Sequence, residues 1–149
     1  MTEPGPDGVL DALREQIAAE GWSVLVHGGD VPVAYTVGLF ETFEHPEIVV
    51  VGLPPETAHD LLEECGEDVR SGTAFANGAS NRDLLTDHEV RFHSVTDRSV
   101  VDEVLLHARE HYGDRAFPVL QLVWPDERGR FPGDADVSEE FASAQPRLP

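Results

Sequence analysis

Ala34-Tyr35-Thr36-Val37-Gly38-Leu39, continued through His45-Pro46-Glu47 into Ile48-Val49-Val50-Val51-Gly52-Leu53, is the stretch whose reading decides the fold. Residues 33–39 are rich in β-formers, and residues 48–51 are an unbroken β-branched block of strand length closed by Gly52. The link over residues 40–47 is short and polar, so the two strands read as antiparallel neighbours. The lack of alternation in 48–51 predicts a strand buried on both faces, the interior strand of the sheet.

Working towards the N-terminus, Trp22 to Val26 reads as a strand, joined to the one opening at Val33 by the turn His27-Gly28-Gly29-Asp30. Before it, Val9, Leu10, Leu13 and Ile17 share a helical stripe, with Asp7 as N-cap and Gly21 as the stop. Residues 1–8, rich in Pro and Gly, read as a disordered lead-in.

Towards the C-terminus, Pro54-Pro55 opens a helix whose buried stripe is Ala58, Leu61, Leu62, Cys65 and Val69. Residues 81–88 read as a helical turn, and Val90, Phe92 and Val95 as a strand. Asp97 or Ser99 caps a third helix with stripe Val101, Val104, Leu105, Ala108 and Tyr112. Residues 117–124 are the last strong strand. The acidic, proline-ended segment 134–149 is expected along the surface. The pattern predicts one α+β domain over residues 9–133: a mainly antiparallel sheet with about three helices packed on one side of it.

With 149 residues, 40% of them apolar, the chain is long enough for a real core. All ten basic residues are arginine against 29 acids, giving a net charge of −19. The absence of lysine points to a GC-rich genome. The acid excess argues against binding nucleic acid or an anionic membrane through a basic patch, and its plain reading is a solvated surface. The lone Cys65 excludes an internal disulfide and reads as a small core residue. No apolar stretch approaches the ~20 residues that cross a bilayer, and the first residues lack a signal-peptide pattern, so a cytoplasmic location is expected. Gly28-Gly29 has neither the glycine spacing nor the following helix of a phosphate-binding loop.

Three clusters of residues are candidates for chemistry. His45 and Glu47, two apart around the stiffening Pro46, share a face if extended; a carboxylate would hold the imidazole in one tautomer as general base. The plain alternative is a His45 that braces the loop through backbone. Glu103, His107 and His111 have chelating helical spacing, but lie at the edge of the apolar stripe or outside it, where a solvated flank is the simpler reading. Gln121, Trp124 and Asp126 cluster about the last strand; Gln121 interrupts an apolar run and faces away from Trp124. It either bonds neighbouring backbone or lines a pocket, which Tyr35 and Thr36 could share. No Gly-x-Ser-x-Gly elbow exists. No metal site and no cofactor are expected.

Gly21-Trp22, residues 34–39, His45-Pro46-Glu47, Gly52-Leu53-Pro54, Gln121-Leu122-Val123-Trp124-Pro125-Asp126 with Gly129 and Phe131-Pro132, and Gln145-Pro146 together resemble the DUF4262 family of bacterial domains of unknown function. Gly133 departs from the pattern, where a large aromatic residue would follow Phe131-Pro132. The resemblance brings no activity. It does put Tyr35, Thr36, His45, Glu47, Gln121 and Asp126 inside motif positions and leaves His107 and His111 outside them.

The resulting expectation is a small ligand- or protein-binding accessory domain with a polar pocket at the central strand ends. His45, Glu47 and Asp126 are its candidate catalytic groups, and Tyr35, Thr36, Gln121 and Trp124 its ligand contacts. The alternatives are a metal-independent enzyme using a His/carboxylate acid–base pair, and an acidic mimic of nucleic acid. The binding partner would be a small molecule or a protein, with neither nucleic acid nor membrane involved.

Overall fold

The computed structural model describes residues 6–85 and 88–149. Residues 1–5, most of the expected lead-in, and the side chain of Asp7 lie outside the described parts. Helix α1 (Pro6–Glu20) begins within the glycine- and proline-rich start and ends at Gly21, whose φ of 101° is the left-handed stop a glycine supplies. Strands β1 (Ser23–His27) and β2 (Val33–Val37) form the expected hairpin. The link to β3 (Glu47–Val51) is not plain loop: it contains the single-turn helix α2 (Leu39–Phe43). Then follow α3 (Pro55–Arg70), β4 (Ser80–Leu85), β5 (His88–Ser94), α4 (Arg98–Val104), α5 (Leu106–Tyr112), β6 (Val119–Val123) and α6 (Glu139–Ala144).

The six strands form one sheet in the order β1-β2-β3-β6-β5-β4. The fold is α+β, but the sheet is mixed: β3 and β6, side by side at its centre, run parallel, with Glu47 opposite Val119 and Val50 opposite Leu122. Parallel neighbours need a long crossover, and here it is all the chain between them. Every residue of β3 and of β6 is buried. Such strands need cover on both faces, so the expectation of helices on one side is corrected. On one face Ala58, Leu61, Leu62 and Cys65 of α3 pack with Ile48, Val50, Leu120, Leu122 and Trp22. On the other, Leu13 of α1 and Val101, Leu105 and Ala108 of α4–α5 pack on Tyr35, Val37, Val49, Val51 and Val119.

Among the described residues there are six helices instead of the expected three or so. The third helix is capped at Asp97, which accepts from the backbone N–H of Ser99 and Val100, but it breaks at Leu105 (φ −101°, ψ 52°) into α4 and α5. The helical turn expected at 81–88 is corrected as well: this stretch holds β4, paired with β5 with a register shift, and Thr86 and Asp87 lie outside the described residues. Within β4 the Asn81 side chain makes a local turn, accepting from the N–H of Asp83 and Leu84. The segment after 133 does more than follow the surface. Gln145 is fully buried and grips Trp124, its side chain accepting from the Trp124 N–H and donating to the Trp124 carbonyl.

Candidate functional site

The residues singled out from sequence divide among separate places. Glu47 is fully buried at the start of β3. Gly38, at φ 114°, bends the chain so that the N–H groups of Gly38, Leu39 and Phe40 all point at the Glu47 carboxylate, at 2.9, 3.2 and 3.2 Å. The Thr36 hydroxyl donates to it at 2.8 Å, and Tyr112 at the end of α5 donates its own. Thr36 also accepts from the Ile48 N–H, continuing the β2–β3 ladder by a side chain. Burial pushes the Glu47 carboxyl up to about 7, against the donors of Tyr112, Phe40, Thr36 and Gly38, which favour the ionised form. Glu47 thus works as an internal hydrogen-bond acceptor fastening the start of α2, with no open path to a substrate.

His45 turns to the other face. Its Nε2 accepts from the Phe75 N–H at 2.9 Å and its Nδ1–H donates to the Pro46 carbonyl at 2.8 Å, which fixes the neutral tautomer. Burial holds its pKa below the ordinary histidine range, only partly offset by the Pro46 carbonyl. Both ring nitrogens are used, so His45 braces the loop before β4. Pro46 separates it from Glu47, whose contacts lie with Tyr112 on the opposite face.

Tyr35, buried beneath α5, accepts from the His107 N–H at 3.2 Å. Burial, opposed by that bond and reinforced by Glu110, pushes its pKa up to about 12. His111 bonds Glu41 of α2 at 2.6 Å and accepts from Arg14 of α1 at 3.1 Å, so it ties helices together instead of lying on a wet flank. Glu103 belongs to α4, so the break at Leu105 separates it from the two histidines of α5. Among the described residues no cluster of three His, Cys, Asp or Glu could hold a metal, and no helix is long and apolar enough to cross a membrane.

Gln121 is buried and bonds backbone: its Oε1 accepts from the Leu148 N–H at 2.8 Å and its Nε2 donates to the Pro146 carbonyl at 3.0 Å. It faces away from Trp124, as the alternation requires. Only Trp124 and Asp126 share a concavity. Because β6 runs parallel to β3, Asp126 lies past the opposite end of the sheet from Glu47, roughly 20 Å away at about 3.3 Å per residue. The expected convergence of His45, Glu47 and Asp126 on one patch is therefore corrected.

The cleft that Trp124 and Asp126 line, about 670 Å³, opens where β3 and β6 end. Trp124 closes the sheet, donating its indole N–H to the Val51 carbonyl at 2.9 Å, and meets Phe141 of α6 edge-on at 5.0 Å. Asp126 is half-buried and braces the turn beside it, accepting from the Arg128 and Arg130 N–H and from Arg130 Nε, all at 2.9 Å. Desolvation raises its pKa, but these donors outweigh it and hold the carboxyl below the ordinary range. His88, Arg128 and Glu140 complete the polar wall. Sequence reasoning missed these three. His88 falls at the end of the expected helical turn, and nothing local brings it to the end of β6.

A sheet with a central parallel pair, helices on both faces and a polar–aromatic cleft at the strand ends defines a small α+β domain. Residues 16–138 match the family described as a domain of unknown function (DUF4262), and the chain belongs to that family. No curated protein matches the chain. No solved structure matches it either.

Proposed function

We propose that this protein is a small-ligand-binding domain acting in the bacterial cytoplasm, and that its site is the cleft at the ends of β3 and β6. The observation that carries this reading is the Trp124–Phe141 aromatic corner facing His88, Arg128 and Glu140 in one cavity of about 670 Å³. Pockets of this size bind small molecules through an apolar body and a few oriented polar groups. The occupant is a planar molecule with a polar edge, stacked against the aromatic corner. Asp126 holds the rim turn in shape rather than acting as an acid or base. An acid–base enzyme built on His45 draws no support from a ring whose nitrogens both bond backbone. The charge of −19 favours neither nucleic acid nor anionic membrane as partner, and the single buried Cys65 suits a reducing compartment.

The test uses benzoate and indole as probes on the whole chain, read by the indole ¹H–¹⁵N signal of Trp124. Saturable shifts with either probe, weakened at least tenfold in Phe141→Ala while the fold is retained, support the reading. Absence of saturable shifts with both probes at millimolar concentration overturns it.

A further inference from the structure

We propose that a second cavity, between β5, the 131–134 loop and the C-terminal segment, binds a small organic oxyanion: a phosphate monoester or a dicarboxylate. The cavity is about 680 Å³. It exists because α4 and α5 cover β2 and β3 but leave the same face of β5 to the loop and the tail.

Arginines in a chain of net charge −19 are expected to sit among carboxylates. This cavity instead gathers Arg91, Arg147 and His93 around one acid, Asp134. Asp134 is turned to backbone, accepting from the Phe131 N–H at 2.8 Å. Arg91 lies 3.9 Å over the Phe131 ring, and its ion pair with Glu89 is loose at 3.9 Å. Stacking holds a guanidinium in place while leaving its N–H edge available. Arg147 has no carboxylate partner among the described residues. It donates to His93 Nδ1 at 3.3 Å, and His93 donates from Nε2 to the Leu148 carbonyl at 3.0 Å. His93 therefore positions Arg147 at the cavity wall, in the place where a carboxylate partner would have added a competing anion.

Neutral donors complete the set. Asn77 gives its carbonyl to the Ser94 N–H, so its amide N–H₂ remains for a ligand, and Thr96 lines the same wall. Two guanidinium forks with an amide and a hydroxyl suit oxyanion oxygens in bidentate contact. The volume exceeds that of inorganic phosphate and has Val123 and Phe131 as an apolar side, which favours an organic anion.

The experiment titrates the full chain with inorganic phosphate, phenyl phosphate and succinate, followed by the amide shifts of residues 91–94, with sodium chloride at matched ionic strength as control. Saturable binding of at least one probe is expected. It should weaken at least tenfold in Arg91→Gln and in Arg147→Gln and stay unchanged in Arg128→Gln, which alters the other cleft. Preference for phenyl phosphate over succinate assigns a phosphate ester, and the reverse a dicarboxylate. Arg147, exposed on the tail, carries the test should Arg91→Gln fail to fold. The proposal is overturned if no probe exceeds the chloride control, if binding survives both substitutions, or if Arg128→Gln abolishes it. Loss of binding in Arg128→Gln would place the anion in the aromatic cleft, which Arg128 lines; the other outcomes leave that cleft, read at Trp124, untouched.

Discussion

The hydroxyl of Tyr112, at the end of α5, donates to the carboxylate of Glu47 at the start of β3, across a separation of 65 residues. This bond, with those from Thr36 and the α2 backbone, anchors a buried acid that joins the helical layer to the central strand. It gives the motif residue Glu47 a structural reason to be there, without any substrate.

Replacing Glu47 should reveal that role as a pH dependence. Burial raises its folded-state pKa from 4.5 to about 7, so the native state holds the proton more tightly than the unfolded chain. The associated stability is full below the unfolded value and is lost as pH rises through the folded one, on the order of 3 kcal/mol in all. Chemical denaturation of wild type and Glu47→Gln at several pH values should therefore show the wild-type advantage shrinking between pH about 4.5 and about 8. An advantage that grows across this range would mean the five donors outweigh burial and keep the acid ionised.

His45→Ala removes the acceptor for the buried Phe75 N–H. An orphaned buried donor costs about 1–3 kcal/mol, so the melting temperature should fall while probe binding at Trp124 stays unchanged. An unaltered melting temperature with lost binding would return His45 to the site.

Gly66 in α3 lies against Trp22: a Cβ there would sit 2.3 Å from the indole Cε2. Trp22 is fully buried and cannot easily give way. Gly66→Ala should destabilise by about 1–3 kcal/mol through overpacking, despite alanine's better helix propensity. Equilibrium denaturation with a neutral or stabilising result would show that the ring can shift.

Val50 is 1% exposed on the interior strand, between β2 and β6. An aspartate there has no partner, and an unpaired buried carboxylate costs several kcal/mol. Val50→Asp should yield insoluble or non-cooperative protein by calorimetry; a soluble, cooperatively melting variant would contradict the interior placement.

The sequence by itself determined what depends on local geometry. The β-branched run 48–51 named the interior strand, Gly21 and Asp97 set helix ends, and the alternation along β6 placed Gln121 opposite Trp124. Tertiary structure decided what depends on neighbours far along the chain. Nothing in the periodicity of residues 119–123 says that they lie parallel to β3, yet that choice sends Asp126 to the far end of the sheet from Glu47. Pro46 looked like a stiff step that kept His45 and Glu47 together, and in the fold it turns them to opposite layers, where Phe75 and Tyr112 wait. The break at Leu105 and the strand at residues 80–85 were equally silent, because a continuous apolar stripe and a short polar segment each fit more than one backbone path. Local patterns report which face of an element is apolar. Which elements meet, and so which polar groups share a cavity, follows from burying all of those faces at once.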